Sequence, residues 1–266
     1  MGIFRFIPYL QYALVLSVGL TSHLTQADFS GFDPSQFSNP AQLLSPSIIN
    51  PVITGMGIAI DHRAFEPATS LGTNPGIDIG VELELVRIPD PVFTALELAG
   101  GSPVPTSSRT APVARLRLDK GLSDNTSFGL SFIGYAGTLL YGFHIKYILI
   151  KPEEGLTWAL RGSMGWAKVG FVYSRTITPA LLVSRQMDFA DPYIGLGYQF
   201  VTGSFDIPVV VGTETVHLTG DGSGSALTAF LGTRFRIAPM GFQITLEGGY
   251  STGGANYLGS KLGFSF

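Results

Sequence analysis

The stretch GIDIGVELELV, residues 76–86, places Ile77, Ile79, Val81, Leu83 and Leu85 on one side and Asp78, Gly80, Glu82 and Glu84 on the other, the period of two that marks a strand with unlike faces. One face suits hydrocarbon. The other carries three acids and has to meet water or ionic partners, and a sheet that borders hydrocarbon leaves no edge unpaired, so such strands belong in a closed wall. Composition supports an apolar solvent: 45% of the 266 residues are hydrophobic and 13% charged, and the mean hydropathy is +0.32, unusually apolar for a chain dissolved in water. The apolar residues are not gathered into a spanning helix. Residues 6–20 form the one long apolar stretch, and it is short and interrupted by Pro8 and Gln11. With 34 glycines, 17 prolines, 19 phenylalanines and 10 tyrosines, the chain reads as many strands joined by turns.

Similar segments lie near 52–62, 113–119, 127–136, 139–150, 157–167, 176–187, 192–202, 225–237, 242–251 and 256–266. Most have the nine to thirteen residues that a tilted strand needs to cross a bilayer. A soluble sandwich accepts a segment such as FQITLEGGY, residues 242–250, equally well. It does not account for the hydropathy, or for polar faces made of glycine and serine rather than lysine and glutamate. Aromatics gather toward strand ends at Tyr135, Tyr141, Tyr147, Trp158, Trp166, Tyr193, Phe200, Phe235, Tyr250 and Phe266, as interfacial girdles require. The expected fold is therefore an all-β antiparallel transmembrane barrel. The segments number eleven, and single-chain bacterial barrels close on an even count, so twelve strands are expected, with ten as the next choice.

Three units follow along the chain. Arg5, the apolar run 6–20 and the small residues of Thr25–Gln26–Ala27 read as a cleaved export signal over 1–27, in preference to a membrane-anchoring helix. Residues 28–50 carry three prolines and no strand pattern, and are expected as a periplasmic tail or a lumen plug. The barrel is assigned to 51–266. Cleavage removes Arg5 and no acid, moving the net charge from −3 to −4, which gives no basic face for nucleic acid. The chain has no cysteine, which excludes disulfides and thiol chemistry. If the last strand ends in the periplasm, the short connectors 120–126, 151–155, 188–191 and 238–241 all fall on that side. The long connectors 88–112 and 203–224 then fall outside the cell.

The final strand, NYLGSKLGFSF at 256–266, sets Leu258, Leu262, Phe264 and Phe266 on one face. It resembles the targeting signal of bacterial outer-membrane β-barrel proteins, and that resemblance implies that Tyr257, Leu262, Phe264 and Phe266 are read by the barrel-assembly machinery. The blocks FEPATSLGTNPGIDIGVELEL (65–85), KGL (120–122), ALRGS (159–163) and PYIGLGY (192–198) resemble a poorly characterised family of bacterial outer-membrane proteins. That resemblance implies an outer-membrane location and no catalytic residue.

Alternation projects Asp78, Glu82, Glu84, Arg115, Arg117, Asp119, His144, Lys146, Arg161, Arg234, Arg236, Glu247 and Lys261 into the lumen. With both signs present in a narrow barrel, these charges are read either as a paired ionic core or as a passage in which the arginines form a track for anionic solutes. Glu82 and Glu84 are expected to face Arg115 and Arg117 across one ladder. No serine–histidine pairing or metal-ligand spacing is legible, and alternation sends Asp61 inward and His62 outward. No enzyme activity, cofactor or metal is expected. The favoured function is a small pore or transporter for small solutes, with outer-membrane lipid as a partner. A closed structural or surface-interaction barrel comes next, and an outer-membrane enzyme third.

Overall fold

The computed structural model describes residues 44–98, 109–135, 138–211, 214–237 and 241–266. The expected export signal and most of the 28–50 segment lie outside the described residues. Ten strands form a closed antiparallel barrel: β1 (Ile77–Arg87), β2 (Thr110–Gly121), β3 (Thr126–Tyr135), β4 (Thr138–Ile150), β5 (Leu156–Val169), β6 (Val172–Arg185), β7 (Ala190–Val211), β8 (Glu214–Ile237), β9 (Phe242–Ser251) and β10 (Asn256–Ser265). Each strand pairs with its neighbours in sequence, and β1 closes the ring against β10, with Val81 opposite Leu262 on one side and Leu116 on the other. The count is ten, the second of the two expected.

The missing wall segment is 52–62. Its residues form most of helix α1 (Pro46–Ala59), which lies inside the barrel. The physical reason is visible in its composition. From Val52 to Ile60 the one polar side chain is Thr54, so either parity of a strand here would be apolar, and a segment apolar all round is a buried helix rather than a wall strand. Pro46 starts the helix where its lost N–H is harmless, and the Ser45 carbonyl accepts from the amides of Ile48 and Ile49, both at 2.9 Å. A second helix, α2 (Asp90–Leu98), follows β1 and packs its Val92, Phe93, Ala95 and Leu96 into the same apolar cluster as α1.

The wall is inside-out relative to a soluble barrel. Leu196, Leu231 and Leu258 on the outer face are 63%, 67% and 66% exposed, whereas Arg117, Lys146 and Lys261 inside are 2% exposed or less. Only a hydrocarbon surround makes that distribution favourable, because leaving such leucines in water forgoes roughly 1.5–3 kcal/mol each. Tyr141, Tyr147, Trp158, Trp166, Phe200, Tyr250 and Phe266 are exposed on this outer face. Tyr193 is not a girdle residue. It points inward and is 4% exposed, because its hydroxyl has a carboxylate to serve there. The side chain of Tyr135 lies outside the described set.

The two ends differ. The turn end carries 122–125, 151–155, 186–189, 241 and the terminal residue Phe266. At the hairpin end, the segment 203–224 is not a loop as expected. It continues β7 and β8 beyond the wall, since pairing with β6 stops at Phe205 and pairing with β9 stops at Thr228. Beyond the wall the two strands are laddered to each other, from Asp206 opposite Thr219 to Val211 opposite Glu214.

Candidate functional site

Residues 60–76 leave α1 and run down the lumen to the start of β1, so that the barrel is filled along its axis by its own chain. Residues 61–68 are all buried. Arg115 donates to the carbonyls of Ile60 and Asp61, both at 3.0 Å, and Arg161 donates to those of His62 at 3.2 Å and Arg63 at 2.8 Å. Arg117 donates to the Arg63 carbonyl at 3.1 Å, and Lys146 to those of Pro67 at 2.8 Å and Thr69 at 3.0 Å. A segment without secondary structure leaves its carbonyls unpaired, and these cations are the inward donors that meet them.

Glu66 is the ionic centre of this plug. Its carboxylate lies 2.6 Å from Lys146 Nζ, 3.3 Å from Arg161 Nε and 3.5 Å from Arg117 Nη2, and it is 2.9 Å from His144 Nε2. Asp61 accepts from Thr178 and Gln199, both at 2.8 Å. Glu247 accepts from the Phe65 amide and the Tyr193 hydroxyl at 2.7 Å and from the Tyr257 hydroxyl at 2.5 Å. Phe65 has φ of 41°, the left-handed region, at a cost of order 1–3 kcal/mol for a residue with a side chain. The fixed position repays it. Its ring packs over Gly259, where a Cβ would lie 2.7 Å from Cζ.

Contacts of this segment reach the whole ring. Arg63 lies 3.7 Å from Glu84 of β1 and stacks 4.2 Å from the Tyr257 ring of β10, and Arg234 of β8 donates to Thr69 at 3.1 Å. With the bonds above, and with Ser131 of β3 on His62, the plug between Ile60 and Thr69 holds a polar or cation–π contact to each of the ten strands.

The charges named from the sequence sit as follows. Asp78, Glu82, Glu84, Arg115, Arg117, Asp119, His144, Lys146, Arg161, Glu247 and Lys261 are buried in the interior. Arg234 lies nearer the turn end and is bound to Asp191 at 2.7 Å, and Arg236, a third exposed, lies 3.0 Å from the same carboxylate. Glu82 meets Arg117 at 2.7 Å, and Arg117 also reaches Asp119 at 2.8 Å. Arg115 lies 3.9 Å from Glu84, because its guanidinium is spent on the plug carbonyls. Lys261 lies 3.1 Å from Asp78 and 3.2 Å from Asp119. In the final strand, Tyr257 points inward to Glu247, while Leu262, Phe264 and Phe266 lie on the outer face.

Asp61 and His62 are not split between lumen and lipid, because they are in the plug and not in a strand. His62 Nδ1 and Ser131 Oγ are 2.8 Å apart, and His62 Nε2 and His144 Nδ1 are 2.9 Å apart. Continuing to Glu66, this makes a row of serine, two imidazoles and a carboxylate. The residues are separated by as many as 82 positions in sequence, so no local motif reveals the row. All four are buried, and the row ties the plug to β3 and β4. Among the described residues no cluster of histidines and acids is arranged to hold a metal. Asp191, Ser131, Thr178 and Gln199 were also missed, being small or neutral residues, or placed by their neighbours in a turn.

No protein-family model and no curated protein matches the chain. Among solved structures, similarity is found to the outer-membrane protease OmpT of Escherichia coli, at 10% identity over 71% of this chain and 96% of that one, with a TM-score of 0.43. The KdgM porin, solved with a disordered oligogalacturonate, is similar at 9% identity over 71% and 99%, with a TM-score of 0.38. The outer-membrane protein Omp33 of Acinetobacter baumannii is similar at 8% over 71% and 97%, with a TM-score of 0.32. At these identities and scores the likeness is too slight to carry an activity across.

Proposed function

We propose that this chain is a bacterial outer-membrane barrel, closed through its centre, that works at its hairpin end as a structural or surface-interaction protein. The observation that carries the reading is the contact of residues 60–69 with every strand of the wall, which leaves the middle of the lumen to the chain itself. On this reading its partners are outer-membrane lipid along the apolar belt and, during assembly, the machinery that reads Leu262, Phe264 and Phe266 in the last strand. Purified, folded protein inserted into planar bilayers is expected to stay electrically silent. Steady conductance from the unmodified protein would overturn the closed reading.

One observation favours a second reading, a gated passage for small anionic solutes. The grip on residues 60–69 is mostly charge and hydrogen bonding, which water can replace once the segment moves. Arg115, Arg117 and Arg161 would then line the opened path, leading toward Arg234 and Arg236 at the turn end.

A further inference from the structure

The plug has a direction. Its depth can be read against β8, whose residues descend from the hairpin tip into the wall. Leu44 and Ile49 pack at Gly220, Ile49 and Ile53 at Gly222, and Thr54 at Gly224. Ile58 lies at Gly253 beside Ala226, and Asp61 then bonds Thr178 and Gln199. Phe65 lies at Gly259, Thr69 at Arg234, and Gly72 abuts Gly121 and Gly76 at the turn end, where β1 begins. The descent is monotonic, without a reversal.

Leu44 therefore stands at the hairpin end, next to a part of β8 that has already left the wall. Membrane barrels of this class keep short turns in the periplasm and extended connections outside. We infer that the described chain begins on the outer face of the membrane and passes inward through its own lumen to start the wall at Ile77. The face formed by Leu44–Asn50 and the β7–β8 extension is one surface on the cell exterior. Of the segment 28–50, only residues 44–50 are described, and these lie at the hairpin end. The inference rests on the outer-membrane reading above, and it names the region that a surface partner meets first.

The absence of cysteine makes the test clean. Ser47, Thr215 and Asp124 are all exposed, the first two at the hairpin end and the third in a turn at the opposite end. Single variants Ser47→Cys, Thr215→Cys and Asp124→Cys would be treated in intact cells with a membrane-impermeant maleimide, with each signal normalised to labelling after denaturation. Thr215→Cys and Asp124→Cys report the orientation of the barrel by themselves. Ser47→Cys is expected to label in intact cells to the same extent as Thr215→Cys, with Asp124→Cys labelling after permeabilisation. Ser47→Cys behaving like Asp124→Cys would overturn the threading while leaving the barrel's orientation standing. Reversed behaviour of the two controls would overturn the surface assignment itself.

Discussion

The upper and lower parts of the plug are held by opposite chemistries. In the upper part, α1 buries Ile48, Ile49, Val52, Ile53, Met56 and Ile58 against Val201, Phe205 and Ile207 of β7 and against α2. This is an ordinary hydrophobic core that happens to lie within a membrane barrel. The lower part, residues 60–69, places Ala64, Phe65 and Ala68 in a second apolar cluster, but its polar backbone and Glu66 are held by cations. Apolar burial is insensitive to the identity of the partner and degrades gradually as area is lost. A desolvated ionic centre fails abruptly when one member is removed, because the rest are left buried without partners. The upper part is therefore suited to sealing, and the lower to locking.

Removing the lock should have the largest effect. Glu66→Ala leaves Lys146, Arg117 and Arg161 facing one another around an empty carboxylate position, and removal of one partner from such a site costs about 3–5 kcal/mol. The midpoint of the boiled-against-unboiled gel shift should fall, and current should appear in planar bilayers where the parent protein is silent. A silent variant of full stability would erase the contrast between the two parts. Ile53→Ala tests the seal. Ile53 is fully buried, and its truncation should cost about 2–5 kcal/mol, with no current, because the residues that fill the centre are untouched. Current from this variant would mean that α1, and not Glu66, keeps the centre closed.

The smallest effect is expected at the rim. Asp90, at the start of α2, lies 3.0 Å from Arg109 and 3.4 Å from Arg87. The Arg109 hydrogen bond holds its carboxyl below the usual aspartate value, opposed by desolvation and supported by the hydrogen bond of Arg87. A carboxyl with a depressed folded pKa contributes stability above its unfolded pKa and loses it as pH falls through the folded value. The contact should therefore persist at neutral pH and fade only at strongly acid pH. Since Asp90 is exposed, Asp90→Asn should shift the neutral-pH midpoint very little and flatten its dependence at the acid end. A large neutral-pH loss would mean that the α2 cap is worth more than either half of the plug suggests.

The wall was legible because its signal is local. In β4 the outward Tyr141, Phe143, Ile145 and Tyr147 alternate with the inward Gly142, His144 and Lys146, and parity alone decides which is which. The plug was not legible in this way. DHRAFEPAT, residues 61–69, has neither a period of two nor of 3.6, and its partners in the wall are scattered from Glu84 in the first strand to Tyr257 in the last. One clue was present. Val52 to Ile60 is apolar on both parities, unlike any wall strand with a charged inner row, and that difference separates a buried helix from a lipid-facing strand. The inward charges could be read from alternation, but not that Arg115 and Arg161 serve backbone carbonyls, since nothing in a strand's own sequence records what fills the space in front of it.

The contacts from residues 60–69 to all ten strands also bear on the perimeter of the barrel. A segment of fixed reach that touches the whole ring acts as a ruler for it. An additional hairpin would widen the ring and draw some strands out of range of Arg63, Glu66 or Asp61, and one hairpin fewer would leave no room for Phe65 beside Gly259. The number of strands is thus set from the axis as well as by pairing along the wall, and a chain that reads as eleven strand-like segments closes on ten because the one at 52–62 enters the lumen as the helix that leads into this gauge.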